Sequence, residues 1–195
     1  MHLRELEPTS DSWESRANKV LSHFSYNEPD EIDLYDICWR YGIKVKPLDP
    51  NYVPETEYFE GIKNLKACSI PKDKGRRGTI YLHPDLETVE KKLILTEEFC
   101  HLYSHHISQL SANSIVLAKT ENQAKRMAAY LLMPKKFLVN VFNSALDQPV
   151  LISDIADYFV VTEEFAQYRL ELVYKRKVDA LINHKGILGS LEYLD

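Results

Sequence analysis

Apolar positions fall at helical spacing along some stretches of the chain and alternate along others. Ser12 to Phe24 places Trp13, Ala17, Val20, Leu21 and Phe24 close to one face, which predicts an amphipathic helix. Glu31 to Tyr41 does the same with Ile32, Leu34, Tyr35, Ile37, Cys38 and Tyr41, and Gly42 follows where a helix-closing glycine belongs. Ile43 to Leu48 alternates apolar and polar residues and predicts a strand, with Pro47 marking an edge or an end. Gly61 to Ile70 and Thr79 to Leu82 predict two further strands, joined through the polar PKDKGRRG as a hairpin with an exposed loop. His83-Pro84-Asp85 reads as a stop followed by an N-cap, since Asp85 can accept from free amides of a new helix. That helix is expected from about Leu86 to about His106, with Glu87 and Glu90 at its positive end.

Ser108 to Ser114 is polar and reads as a loop. Thr120 is placed to cap the next helix, whose Ala124, Met127, Ala128, Leu131 and Leu132 form one apolar stripe. Pro134 separates it from a helix over Lys135 to Leu146. Leu151 to Phe159 and Thr162 to Val173, joined tightly by Val160-Val161, have the size of a helix-turn-helix unit. The tail, Lys175 to Asp195, is expected to be helical in part. These elements predict a mostly helical α+β fold with a small three-stranded sheet toward the N-terminal side.

Composition narrows the class. Hydrophobic residues make up 45% and charged residues 27% of the 195, the profile of a globular protein with room for a proper core. No stretch has the length and apolarity of a membrane helix, and the first residues lack the apolar core of a signal peptide. Three cysteines at no zinc-finger spacing are expected as free thiols, which fits a cytoplasmic location. A net charge of −5 argues against a large nucleic-acid footprint, and Glu163 and Glu164 would repel phosphates at the start of the second short helix.

The chemistry concentrates in TEEFCHLYSHH, Thr96 to His106. At about 100° per residue, Glu97, His101 and His105 fall near 0°, 40° and 80°, and Glu98 near 100°, so all four share one helix face. A zinc-protease helix uses this spacing: ligands at i and i+4 and a general-base glutamate at i+1. Those places hold Glu97, His101 and Glu98. A glutamate in the first place can ligate through oxygen, but a second anionic ligand lowers the ion's effective charge and moves preference toward harder ions such as manganese. A rival register takes His101 and His105 as the pair; its i+1 residue is Leu102, which cannot be a base. Taken alone, Glu and His at i, i+4 also describe an ordinary solvated helix face.

Beyond this helix the sequence resembles the ImmA/IrrE-type metallopeptidases. The resemblance runs over most of residues 12–174 and rests on TIYLHPDLETVEKKLILTEEFCHLYSH, on ENQAKRMAAYLLMP from Glu121 to Pro134, and on ISDIADYFVVTEEFAQYRL. It implies a zincin-like minimal peptidase domain over residues 1–147 and a C-terminal helical, helix-turn-helix-like extension over 148–195. Matched position by position, it implies His101 and Glu121 as metal ligands and Glu98 as the catalytic base. Glu97 stands at the first ligand position, where the family's usual residue is histidine. His105 matches a common further histidine, and His105, Tyr103 or Tyr130 would stabilise the developing oxyanion.

The resemblance implies a metal-dependent endopeptidase, with zinc as cofactor and manganese as the alternative. Its expected substrate is a helix-turn-helix transcriptional repressor, cut to relieve repression in a phage or mobile element. The alternative is a catalytically weak or inactive antirepressor that binds its regulator without cutting it. No membrane partner is expected.

Overall fold

Helix starts follow the short acidic side chains that can cap them. Asp11 accepts from the Trp13 amide and opens α1 (Ser12–Leu21). Asp33 accepts from the amides of Tyr35 and Asp36 and opens α2 (Leu34–Arg40). Gly42, at φ 70, closes that helix in the left-handed region and sends the chain directly into a strand. These elements belong to a computed structural model that describes residues 11–53, 56–72, 76–104, 114–184 and 187–193. The chain divides into two units, one of residues 33–128 and one of residues 1–32 with 129–195.

In the unit of residues 33–128, β1 (Ile43–Pro47), β2 (Ala67–Pro71) and β3 (Gly78–Leu82) form a sheet of order β1-β3-β2. The β1–β3 pair is parallel, with Val45 opposite Ile80; the β2–β3 pair is antiparallel, with Ser69 opposite Ile80. The hairpin expected between β2 and β3 is present, and its base is closed by the Lys72 amide on the Arg77 carbonyl at 2.8 Å. A parallel pair requires a crossover, and α3 (Thr56–Ile62) lies in it. Strand alternation gives the sheet two unlike faces. Cys68 and Tyr81 bury with Leu48, Val53 and Ile62, against which Phe59 of α3 packs. Ser69 and Ile80 point the other way, and α4 (Thr88–Ser104) packs on β2 and β3. A run of fully buried residues on α4, including Leu95, Phe99, Cys100 and Leu102, makes that packing dry. α5 (Ser114–Leu132) begins in this unit and ends in the other.

In the unit of residues 1–32 and 129–195, α6 (Lys135–Asp147) starts at Pro134. The pair α7 (Ile152–Phe159) and α8 (Glu163–Tyr174) is joined through Val160 in the left-handed region, with Thr162 capping α8. Before α7 lies β4 (Val150–Leu151), and after α8 come β5 (Ala180–His184) and β6 (Ile187–Leu191), in the order β4-β5-β6. Arg169 of α8 is buried; its Nε donates to the Met133 carbonyl at 2.9 Å and its guanidinium lies 4.6 Å from the Tyr130 ring centroid.

The fold class agrees with the expectation: mostly helical α+β with a small three-stranded sheet. Four local expectations are corrected. Gly61 lies in α3, and the strand begins only at Ala67, because Phe59 and Ile62 face one apolar cluster at helical spacing. Asp85 does not cap α4, which starts at Thr88; the Asp85 amide instead donates to His83 Nδ1 at 3.3 Å. Thr120 lies inside α5, carried through by the helix-favouring Leu117-Ala118-Lys119 before it. The tail is a β-hairpin where helix was expected, since β5 has β4 as a ready-made antiparallel partner. The loop expected over Ser108 to Ser114 falls outside the described residues, apart from Ser114 itself, which opens α5. Among the described residues no helix is long and apolar enough to cross a membrane.

The close pairing of β2 and β3 sets a testable limit. A Cβ at Gly78 would lie 2.4 Å from the Ile70 carbonyl oxygen, a backbone atom that cannot swing away, whereas a Cβ at Gly61 meets nothing within 4 Å. Gly78→Ala is expected to cost roughly 2 kcal/mol or more, and Gly61→Ala, inside α3, to gain up to about 1 kcal/mol; urea unfolding of both variants measures the difference.

Candidate metal centre and general base

The candidate residues come from two helices of one unit. Glu97, Glu98 and His101 sit on α4 and Glu121 on α5. His101, 4% exposed, turns its Nε2 to Glu121 Oε2 at 3.2 Å, while the Glu121 side chain is 52% exposed. A buried imidazole and a half-exposed carboxylate twenty residues apart thus meet at the rim of the helix pair.

Glu98 lies deeper. Only 8% of it is exposed, and its Oε2 is buried with no hydrogen-bond partner among the described residues. The buried Ser69 of β2 acts on the Glu98 carboxylate and pulls its pKa down. Burial pushes the Glu98 pKa up; the positive field of His101 and the influence of Ser69 pull against this, and the charges of Glu121 and Glu97 add to the rise. Glu97 is half-buried. Burial also raises its pKa, Lys125 opposes that, Glu121 adds to it and His101 opposes it. The centre is therefore a set of three carboxylates in one another's fields, with His101 and Lys125 on the opposing side.

Metal fit can be judged from this geometry. Two ligand atoms held at about 2.0–2.1 Å from a tetrahedral zinc ion are about 3.3 Å apart. The 3.2 Å between His101 Nε2 and Glu121 Oε2 is that separation, so the pair fits a divalent ion as two of its ligands. Among the described residues no group of three His, Cys, Asp or Glu side chains is gathered closely enough to hold an ion. Glu97 shares the electrostatic neighbourhood without converging on the same point.

A family model, the IrrE N-terminal-like domain (Peptidase_M78), matches residues 40–171. The chain belongs to this family. No curated protein and no solved structure gives a significant match. The matched span contains every element of the centre, from β2 through α4 to α5, and so places the centre inside the IrrE N-terminal-like domain.

The remaining expected residues of the IrrE-type domain are dispersed. Tyr103 is buried in an aromatic cluster, with ring centroids 5.4 Å from Tyr41 and 5.7 Å from Phe99, and the Arg76 guanidinium lies 4.1 Å from its ring centroid. Tyr130 belongs to the other unit; its hydroxyl is given to Asp11 and its ring to Arg169. His105 lies outside the described residues. Two participants escaped sequence reading. Lys125 follows Glu121 by one helical turn, a spacing that was legible, whereas Ser69 is one small polar residue in an apolar strand and gives almost no signal.

The raised Glu98 pKa makes a signed prediction for metal-free protein. With a folded pKa above the unfolded value, Glu98 costs no stability below the unfolded value near 4.3, and its cost grows as pH rises through the folded one. Glu98→Gln removes that cost. The melting temperature of the variant, measured in chelator from pH 4.5 to 8, is expected to gain on wild type as pH rises, by about 2–4 °C for each kcal/mol recovered.

Proposed function

We propose that this domain is a metal-dependent endopeptidase acting on a helix-turn-helix transcriptional repressor, and that His101 and Glu121 hold the ion with Glu97 as a third, anionic ligand. The observation that carries the reading is the buried, unpartnered Glu98 Oε2 in the field of a His–Glu pair set 3.2 Å apart. A carboxylate with a raised pKa is a stronger base than one in water, and so better matched to proton transfer near neutral pH. Glu98 accepts the proton of the attacking water at Oε2 and delivers it to the leaving amine. When bound, a zinc ion, or manganese in its place, would supply Lewis acidity there. Glu97 in the place of histidine would lower the effective charge of such an ion.

A second reading keeps the regulator-binding role and drops the cleavage. It is favoured by the absence of a three-residue metal cage among the described residues and by the positive charge of Lys125 acting on Glu97. In that reading the chain binds a repressor as an antirepressor without cutting it.

Purified protein loaded with zinc or manganese, incubated with a candidate helix-turn-helix repressor, distinguishes the two. Cleavage is expected, with Glu98→Gln slower by at least about a hundredfold. Glu97→Ala should weaken metal binding in calorimetry by at least about a hundredfold, and Glu97→His should retain it. Cleavage undiminished in Glu98→Gln sinks the mechanism; complex formation without cleavage at full metal occupancy selects the second reading.

A further inference from the structure

The sheet carries a cleft at its β1 edge, the edge opposite β2. Pro47 and Leu82, the last residues of the parallel strands β1 and β3, pair side by side and open onto it. Crevices at the carboxyl ends of parallel strands are where open sheets take ligands. The volume is about 270 Å³, and Val45, Pro47, Leu82 and Pro84 give it apolar walls. The polar lining comes from three elements: Tyr35 of α2, Lys46 of β1 with His83 just after β3, and Lys91 in the first turn of α4. None of Glu97, Glu98, His101 or Glu121 lines the cleft. Lys91 precedes Glu98 on α4 by two helical turns, about 10 Å along the axis.

The charge in this cleft has one sign. Lys46, His83 and Lys91 are half-buried, and among the described residues no carboxylate lines the cleft or pairs with either lysine. Other lysines have partners: Lys63 has Glu60 and Lys177 has Asp179. Glu90, next to Lys91 in the chain, is committed to Lys66 at 2.5 Å, and Asp33 is spent on the amides of Tyr35 and Asp36. His83 accepts the Asp85 amide at Nδ1, so its neutral ring carries the proton on Nε2 and donates from there. Burial, with Cys38 and Asp33 behind it, raises the Tyr35 pKa and keeps that hydroxyl a donor. A partly desolvated cation without a counterion is costly, and this cleft holds two, in a chain of net charge −5. We infer that the cleft binds a small organic anion, with an oxyanion head, carboxylate or phosphate, on Lys46 and Lys91 and a short apolar body against Val45, Pro47 and Leu82. The volume lies below the ~300 Å³ at which drug-sized pockets begin, which limits the body to on the order of ten heavy atoms.

The site is independent of any activity at the centre, and its test needs no turnover. The full chain, labelled with nitrogen-15, is titrated at low salt with phenylacetate, with phenylphosphate and with the neutral phenylacetamide, and amide shifts are followed by NMR. Saturable shifts at Lys46, Leu82, His83 and Lys91 are expected with at least one of the two anions, at a dissociation constant on the order of 1 mM, the reach of a ligand this small. The anion that binds more tightly identifies the head group. Lys46→Gln and Lys91→Gln should each weaken binding about tenfold, as for loss of a charged hydrogen bond. Lys44→Gln, an exposed change on the same strand but outside the cleft, should leave it within about twofold. The amide spectrum of each variant reports its fold in the same experiment. No saturable shift with either anion overturns the inference. So does phenylacetamide binding as tightly as phenylacetate, or Lys44→Gln losing as much affinity as Lys46→Gln.

Discussion

Packing α4 against β2 and β3 places a carboxylate where water cannot reach most of it, and the site takes its character from that one constraint. Glu98 is carried inward by the same helix face that buries Leu95, Phe99 and Leu102. A buried carboxylate without full compensation is costly, and here compensation is partial: the field of His101 and the influence of Ser69 against the charges of Glu97 and Glu121. A group held in this state has a raised proton affinity and an oxygen without a partner. Those are the properties of a base awaiting a proton, and they are a liability in a residue that serves only stability.

The exchange of histidine for glutamate at position 97 acts on the same balance. It adds a negative charge beside two others, and a divalent ion is the natural counterweight to such a cluster. Lys125 supplies some positive charge from α5, one turn beyond Glu121, so the cluster is not wholly dependent on an ion. The contact of His101 with Glu121 has the separation of two ligands on one tetrahedral ion. Glu97 therefore decides between a retuned metal centre and a charge-neutralised relic, and the two differ in where its carboxylate turns when an ion is offered.

Much of this was legible in the sequence because it depends on periodicity. The spacing of Glu97, Glu98 and His101 fixed their common helix face, and ENQAKRMAAYLLMP pointed to Glu121, which the fold sets against His101. The alternation of Ile43 to Leu48 and the strand-forming run from Thr79 to Leu82 located two strands of the sheet. What escaped depends on partners distant in the chain. The tail reads as weak helix until β4 offers it an edge. Tyr130 reads as a candidate for the site until Asp11, far away in sequence, takes its hydroxyl.

The account stands or falls on the occupant of the centre. Crystals soaked in zinc or manganese and measured at the metal's absorption edge would locate it by anomalous scattering. The account predicts a single strong peak within bonding distance of His101 Nε2, Glu121 Oε2 and a Glu97 oxygen, with Glu98 Oε2 facing it and unligated. A centre without a peak at saturating metal, with Glu97 turned to Lys125, would contradict it.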